Sequence, residues 1–180
     1  KFDNLEFSRI FMAWFIPNLN DQKKIIGLEI LASILSVGRN SRLVKILKED
    51  SNLVESVYVD VNAGELGGLF IIEASCESKD IDLVEKQINK TINEISNSKA
   101  LTLDEIKKAI NIVKTNYIFN LETSTQISSF FGNELLWGRK SSINNLESHL
   151  KYWNDLDNFK EITEYIRGEK FTLVASPDKC

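Results

Sequence analysis

Two short apolar segments separated by glycines lie between residues 54 and 75, and they limit the folds open to this chain. In 54–63, valines alternate with polar residues, which predicts a strand with one buried face. Three glycines between 64 and 68 interrupt the pattern, and 68–75 (GLFIIEAS) predicts a second strand. Strands this close along the chain form an antiparallel hairpin, whose apolar face must be covered by other elements.

The patterns on either side of the hairpin predict those elements. The segments 7–16 and 170–176 predict two more strands, the first rich in aromatic residues and interpreted as buried. Apolar residues at helical spacing predict helices over 21–37, 80–97, 124–137, 143–153 and 158–167. They also predict a short helix that Ser41 caps and a long helix that begins at Thr102 and runs to about 121. We therefore predict an α+β fold, a mostly antiparallel sheet with helices packed on one face, with residues 1–180 as a single domain.

Polar residues at the expected helix starts predict specific caps. Asn18 and Asn20 are placed to cap the first helix, and Asp157 is placed to cap the last. Thr102 and Glu105 have the spacing of a capping box, in which each side chain bonds to the other residue's backbone N–H. This box predicts the start of a long helix.

Composition excludes several classes of protein. The 180 residues include 22 Lys and Arg and 26 Asp and Glu, for a net charge of −4, and 43% are hydrophobic. These values are typical of a globular domain and argue against a nucleic-acid partner. Apolar runs stay short of the roughly 20 residues of a transmembrane helix, so no membrane partner is expected. Cys76 and Cys180 are interpreted as free thiols. We expect a soluble protein in a reducing compartment, which can be a bacterial cytoplasm or an organelle matrix. The sequence does not tell these two apart.

The start of the chain suggests a piece of a longer protein. Residue 1 is Lys, and Met12 is the only methionine. We therefore expect a fragment whose function belongs partly to a larger whole.

A search for catalytic motifs predicts no catalytic and no metal-binding residue in this chain. Zinc motifs of the His-x-x-Glu-His and Cys-x-x-Cys types are absent from the sequence, as are phosphate-binding glycine loops. The single histidine, His149, is interpreted as a solvated residue on a helix face. The larger aromatic residues are interpreted as core: Trp14, Phe15, Phe130, Phe131, Trp137 and Trp153.

Several segments, in their order and spacing, carry a resemblance to a known family. They are Trp14-Phe15-Ile16-Pro17, Asp21 at a helix start, Ile34 to Gly38, Ser41-Arg42-Leu43, Leu47-Lys48-Glu49, the Thr102 capping box, and Phe171 to Pro177. Together they resemble the second, non-zinc half of the pitrilysin/insulinase-type zinc peptidases. That family includes mitochondrial processing peptidase and the core proteins of cytochrome bc complexes.

The resemblance implies a function for the parent protein. In this family each chain holds two domains of similar fold; the first carries zinc in active members, and the second closes a chamber that admits unfolded peptides. We expect this chain to be part of the C-terminal half of a two-domain chain, inactive alone, with zinc in the missing N-terminal domain or a partner subunit. Peptide substrates and a dimeric full-length form are implied too. The alternative is a structural or assembly subunit related to the core proteins, without peptidase activity.

The resemblance also implies candidate substrate-binding residues, at which this chain departs from the family. The family pattern has an Arg and a Tyr seven residues apart, and here Lys48 and Glu55 stand at those positions. Lysine lacks the planar fork of arginine, and a glutamate carboxylate cannot donate a hydrogen bond. Tyr58 follows three residues later, on the opposite strand face from Glu55. Either a partner subunit supplies the clamp, or the chain belongs to a non-catalytic member with an assembly role.

Overall fold

A computed structural model describes residues 5–96, 101–136 and 142–177, and its centre is a four-stranded antiparallel sheet. The strands are β1 (Ser8–Ile16), β2 (Ser56–Ala63), β3 (Gly68–Cys76) and β4 (Phe171–Ala175), in the spatial order β2-β3-β1-β4. β2 and β3 form the predicted hairpin, and β1 pairs with both β3 and β4. β2 and β4 are the edges of this sheet.

Six α-helices accompany the sheet in the described part of the chain. They are α1 (Gln22–Ser36), α2 (Ile81–Ser96), α3 (Leu103–Phe119), α4 (Ser124–Leu136), α5 (Leu146–Trp153) and α6 (Leu156–Thr163). A π-helical segment, Val44–Asp50, forms most of the short helix predicted after Ser41, and 3₁₀ turns cover Ser142–Asn145 and Glu164–Ile166. The α+β prediction is therefore confirmed. Lys1, Trp137, Cys180 and the predicted ends of two helices, at 97 and 137, lie outside the described residues.

The core lies between one face of the sheet and the helices. Buried side chains on this face alternate along β1 and β3, as the period of a strand requires. α1 packs between β2 and the helices α3, α5 and α6, and α2 packs on β1 and β3. Because α1 is covered on several sides, it is buried from Ile25 to Leu35 except at Glu29, which is partly exposed.

Two of the predicted helix caps are wrong, and each was displaced by a nearby aspartate. Asn18 accepts the backbone N–H of Asn20 in a local turn, while Asp21 caps α1 by accepting from the N–H of Lys24. At α6, Asp155 accepts from two backbone N–H groups, and Asp157 lies in the first turn, bonded to Lys160. In each case the turn before the helix fixes the cap, and residue type alone did not reveal that turn.

The capping box at α3 is confirmed, and it is joined to the segment before the π-helical turn. Thr102 accepts from the N–H of Glu105, and the Glu105 carboxylate accepts from the N–H of Thr102. The same carboxylate binds Arg42 through two bonds of 2.8 and 2.9 Å. Although burial acts to raise it, bonds from Arg42 and Thr102 hold the pKa of Glu105 below its usual value. The prediction that Ser41 caps the short helix is wrong too, because the Ser41 hydroxyl donates to the carbonyl of Gly38 and accepts no bond from a helix N–H among the described residues.

Candidate functional site

The sheet face opposite the helices carries exposed apolar side chains. Residues paired across antiparallel strands lie on the same face, and the register pairs Phe15 with Leu69 and Ala13 with Phe171. Phe15 is 85% exposed, and Phe171, Leu173 and Leu69 are exposed as well. We call this surface, with Phe11 and Ile71 between those residues, the open sheet face. Contiguous exposed apolar patches often mark interaction sites, so this face is a candidate functional surface.

The open sheet face corrects the interpretation of the aromatic residues as core. Trp14 and Trp153 are buried as expected, but Phe15 is among the most exposed side chains and Phe131 is also exposed. The prediction that 7–16 is a buried strand is therefore correct for one face only. The sequence signal was misleading, because a strand with apolar residues on both faces usually has both faces covered. Here the face that carries Phe15 is left exposed among the described residues.

Lys48 and Glu55, two of the candidate substrate-binding residues, lie next to each other. Lys48 is in the π-helical segment, and Asn52, with a left-handed φ of 48°, turns the chain back toward β2. The Lys48 ammonium consequently donates to the backbone carbonyl of Glu55 at 2.5 Å. The backbone N–H of Glu55 donates to the carbonyl of Ser75, and its carboxylate side chain is exposed.

Tyr58, the third candidate, belongs to the open sheet face. It pairs with Glu73 of β3, and Glu73 in turn forms an ion pair of 3.3 Å with Arg9 of β1. The Tyr58 side chain is 63% exposed. The structure thus joins Lys48 to Glu55 at the start of β2 and places Tyr58 on the side of the sheet that faces away from the helices.

The described residues do not fit a zinc site. No group of three or more His, Cys, Asp and Glu side chains comes together in the ranges that the structure covers. His149 lies on α5 and is partly buried rather than solvated, with an Nδ1 that finds no hydrogen-bond partner among the described residues. Burial, helped by Lys23, lowers the pKa of His149, so the imidazole is neutral at pH 7.

Glu29 is a candidate functional residue that sequence reasoning missed. Its carboxyl is desolvated within α1, which raises the pKa of Glu29 to about 7. The signal was a single acid inside the apolar run IIGLEILASIL. That signal was passed over because one polar position per two turns is normal on an amphipathic helix.

Comparisons with solved structures define the class of the fold. The described fold matches a peptidase M16 inactive domain from Pseudomonas fluorescens with a TM-score of 0.79 and 15% identity, over 96% of this chain and 42% of that one. A protease from Helicobacter pylori matches with a TM-score of 0.81 and 16% identity, over 98% and 42%. A chain of Complex III2 from Candida albicans matches with 0.78 and 20%, over 98% and 44%. At these identities the likeness is one of fold.

The sequence itself gives the family. The profile described as "Peptidase M16 inactive domain" matches residues 1–113, and the chain therefore belongs to this family. An uncharacterized zinc protease of Streptomyces coelicolor is 27% identical over 118 residues, which are 65% of this chain. The chain spans 26% of the length of that curated relative. The predicted resemblance to the non-zinc half of a metallopeptidase is confirmed. In the described part of the chain, no helix is long and apolar enough to cross a membrane.

Proposed function

We propose that this chain is a non-catalytic wall of a peptide-binding chamber in a zinc metalloendopeptidase that degrades or processes unfolded peptides. Zinc would be held by an N-terminal domain of the parent protein or by a partner subunit, which would polarise the scissile carbonyl and activate water. The single observation that carries the proposal is the open sheet face in a domain of an inactive peptidase family.

The open sheet face suits an extended, unfolded peptide. Phe15, Phe171 and Leu173 offer apolar surface that does not depend on one particular substrate sequence. The edge strands β2 and β4 add backbone groups with which a peptide can pair as a further strand. A folded substrate presents few free strands, so such a wall selects for unfolded chains.

Removing one exposed aromatic ring tests the wall. Phe15→Ser in the full-length, zinc-loaded protein should raise KM for an unfolded peptide about tenfold, since burial of a Phe side chain is worth about 1.5–3 kcal/mol. Leu66→Ser is the matched control, because Leu66 is 97% exposed at the hairpin tip between the glycines. An unchanged KM for the first variant, or equal effects of both, would exclude the open sheet face as a substrate surface.

The isolated chain provides a second test. Purified alone, it should bind no stoichiometric zinc by metal analysis and cleave no peptide. Stoichiometric zinc or cleavage by the pure chain would contradict a non-catalytic role. Activity should return only when the zinc-bearing domain or subunit is present, and size-exclusion chromatography of the full-length form should show the dimer that this arrangement implies.

We further propose that Tyr58 contacts the peptide, with Lys48 and Glu55 shaping the start of the edge strand beside it. Tyr58→Ala in the full-length protein should weaken peptide binding, because the ring is exposed on the open sheet face. Lys48→Ala and Glu55→Ala should have smaller effects, since the Lys48 ammonium is bonded to a backbone carbonyl. Unchanged peptide affinity in all three variants would exclude a substrate role for these residues.

A structural or assembly subunit is the second candidate function. The observation in its favour is the similarity to a chain of Complex III2, which at 20% identity is a similarity of fold alone. The two candidates differ in the metal content of the complete protein. If the full-length protein, purified with its partners, contains no zinc and leaves unfolded peptides intact, the assembly role is favoured.

A further inference from the structure

A cavity of about 400 Å³ lies between α1, α3 and the edge strand β2. Most of its walls come from the helix-covered side of the structure, while Asp60, which pairs with Ile71 of the open sheet face, lies at its border. Its apolar lining is formed by Ala32, Val37, Val59, Val61, Ile112, Val113 and Phe130. Asp60, Asn116 and Asn120 are exposed residues at its border, so the cavity opens to solvent.

Glu29 is an acidic residue that lines this cavity. It extends from α1 between this cavity and a smaller one of about 180 Å³, and its carboxyl shares a hydrogen bond with the hydroxyl of Tyr117. Desolvation raises the pKa of Glu29 to about 7. Within the described ranges, neither cavity is lined by a Lys, Arg or His side chain. The carboxylate form of Glu29 is therefore desolvated without a compensating cation.

Ser33, one helical turn further along α1, supplies an independent observation. It is 5% exposed and lines the same cavity, and its hydroxyl oxygen has no hydrogen-bond partner among the described residues. A serine in a helix usually bonds the carbonyl four residues before it. A buried hydroxyl that lacks a hydrogen-bond partner and lines a cavity is a position at which a ligand can supply the missing hydrogen-bond donor.

Two aromatic rings complete the surroundings of Glu29. Tyr117 and Phe130 both line the cavity and meet edge to face, with ring centroids 6.3 Å apart. The faces of such rings attract cations, most strongly where water is excluded. A carboxylate, a hydroxyl acceptor and aromatic faces are a set of groups that recognises alkylammonium and guanidinium ions.

We infer that this cavity binds an organic cation, an alkylammonium or guanidinium group, between the Glu29 carboxylate, the Ser33 hydroxyl and the rings of Tyr117 and Phe130. A metal ion fits less well, because no group of three or more His, Cys, Asp and Glu side chains that could hold one comes together in the described ranges. The inference does not depend on the proposed chamber role. The cation can be a free amine or the basic side chain of a peptide that lies along β2.

The inference predicts a dependence on pH that follows from the charge of the site. The titratable groups around the two cavities are Glu29 on α1, Asp60 on β2, Tyr117 on α3 and Glu134 on α4. Of the two protonation states of Glu29, only the ionised one attracts a cation. The apparent affinity should therefore fall about tenfold for each pH unit below the Glu29 pKa, and level off above it.

A titration with n-butylammonium, followed by NMR chemical shifts, tests the site. At pH 8 the amine should bind and shift signals of α1 and α3, whereas n-butanol, its neutral analogue, should not. Glu29→Gln should weaken binding at least tenfold, and Ser33→Ala should weaken it about threefold. Glu65→Gln, the same loss of charge at the exposed hairpin tip, should leave binding unchanged.

Peptides identify the source of the cation. Blocked Gly-Gly-Lys-Gly-Gly should bind and its norleucine analogue should not if the natural ligand is a basic side chain; binding of the amine alone would assign the site to a free amine. Equal binding of butanol and butylammonium would overturn the inference, as would a folded Glu29→Gln protein that binds like the wild type. If Glu29→Gln does not fold, absence of amine binding to the wild type at pH 8 overturns it equally. The zinc and cleavage assays of the proposed function are unaffected by either outcome.

Discussion

Replacement of Gly27 by alanine should destabilise the protein, although the same change in a helix usually stabilises it. Gly27 lies in α1, where α5 and α6 approach closely. A Cβ at this position would lie 2.7 Å from the side chain of Ile162 and 2.8 Å from the ring of Trp153. Both neighbours are fully buried, and real Cβ atoms essentially never approach other heavy atoms this closely. One of the two side chains must therefore move.

The structure shows why neither side chain moves cheaply. The Trp153 indole N–H donates to the carbonyl of Lys23 at 2.7 Å, and its ring packs against Tyr152 and Phe159. Overpacking of a core costs about 1–3 kcal/mol, and displacement of the indole would also weaken a hydrogen bond worth about 1 kcal/mol. Alanine gains about 1 kcal/mol in helix propensity over glycine. The net expectation is a loss of about 2 kcal/mol.

Urea unfolding followed by circular dichroism measures this effect. Gly132→Ala in α4 is the matched control, because nothing lies within 4 Å of a Cβ built there. The control should gain up to about 1 kcal/mol of unfolding free energy, while Gly27→Ala should shift the midpoint to lower urea. If the two variants were equally stable, α1 would not approach α5 and α6 as closely as the structure has it, and the reasoning would be refuted.

Three further predictions concern other parts of the structure. Leu31→Ala, at a fully buried position of α1, should cost about 2–5 kcal/mol in urea unfolding, and a cost below about 1 kcal/mol would contradict the packing of that helix. Arg42→Ala and Glu105→Gln should each destabilise, with a coupling of about 1 kcal/mol in a double-mutant cycle, because their paired bonds join two elements; additive effects would exclude the pairing. The Glu29 pKa of about 7 lies above the ordinary 4.5, so the folded state binds the extra proton between those values. Stability should consequently fall as pH rises from about 4.5 to 7, by up to about 3 kcal/mol; Glu29→Gln should remove this slope, and an unchanged slope would assign it to another group.

Local sequence patterns predicted most of the elements, because strand and helix periods depend on neighbouring residues only. The alternation of valines in β2 and the glycines after it were enough to predict the hairpin. The capping box of Thr102 and Glu105 was predictable for the same reason, since both partners lie within one helical turn. The caps at Asp21 and Asp155 were missed because the preceding turn decided them.

The candidate sites were less predictable, because they depend on which faces stay uncovered. Phe15 looked like core, and only the one-sided packing of the helices leaves it exposed on the open sheet face. Glu29 looked like one polar position in an apolar helix, and only the approach of Tyr117 and Phe130 from α3 and α4 makes it a desolvated acid beside a cavity.

The sequence by itself determined the class of this protein: an α+β domain of the M16 inactive family, without the motifs that bind zinc. Its hydrophobic periods, helix caps and motif spacing involve residues close together in the chain, so they can be recognised without knowledge of long-range contacts. The tertiary structure decided where an exposed sheet face, an edge strand and a charged cavity come to lie. Burial and desolvation arise only when segments far apart in the chain, such as α1, α3 and β2, pack against one another.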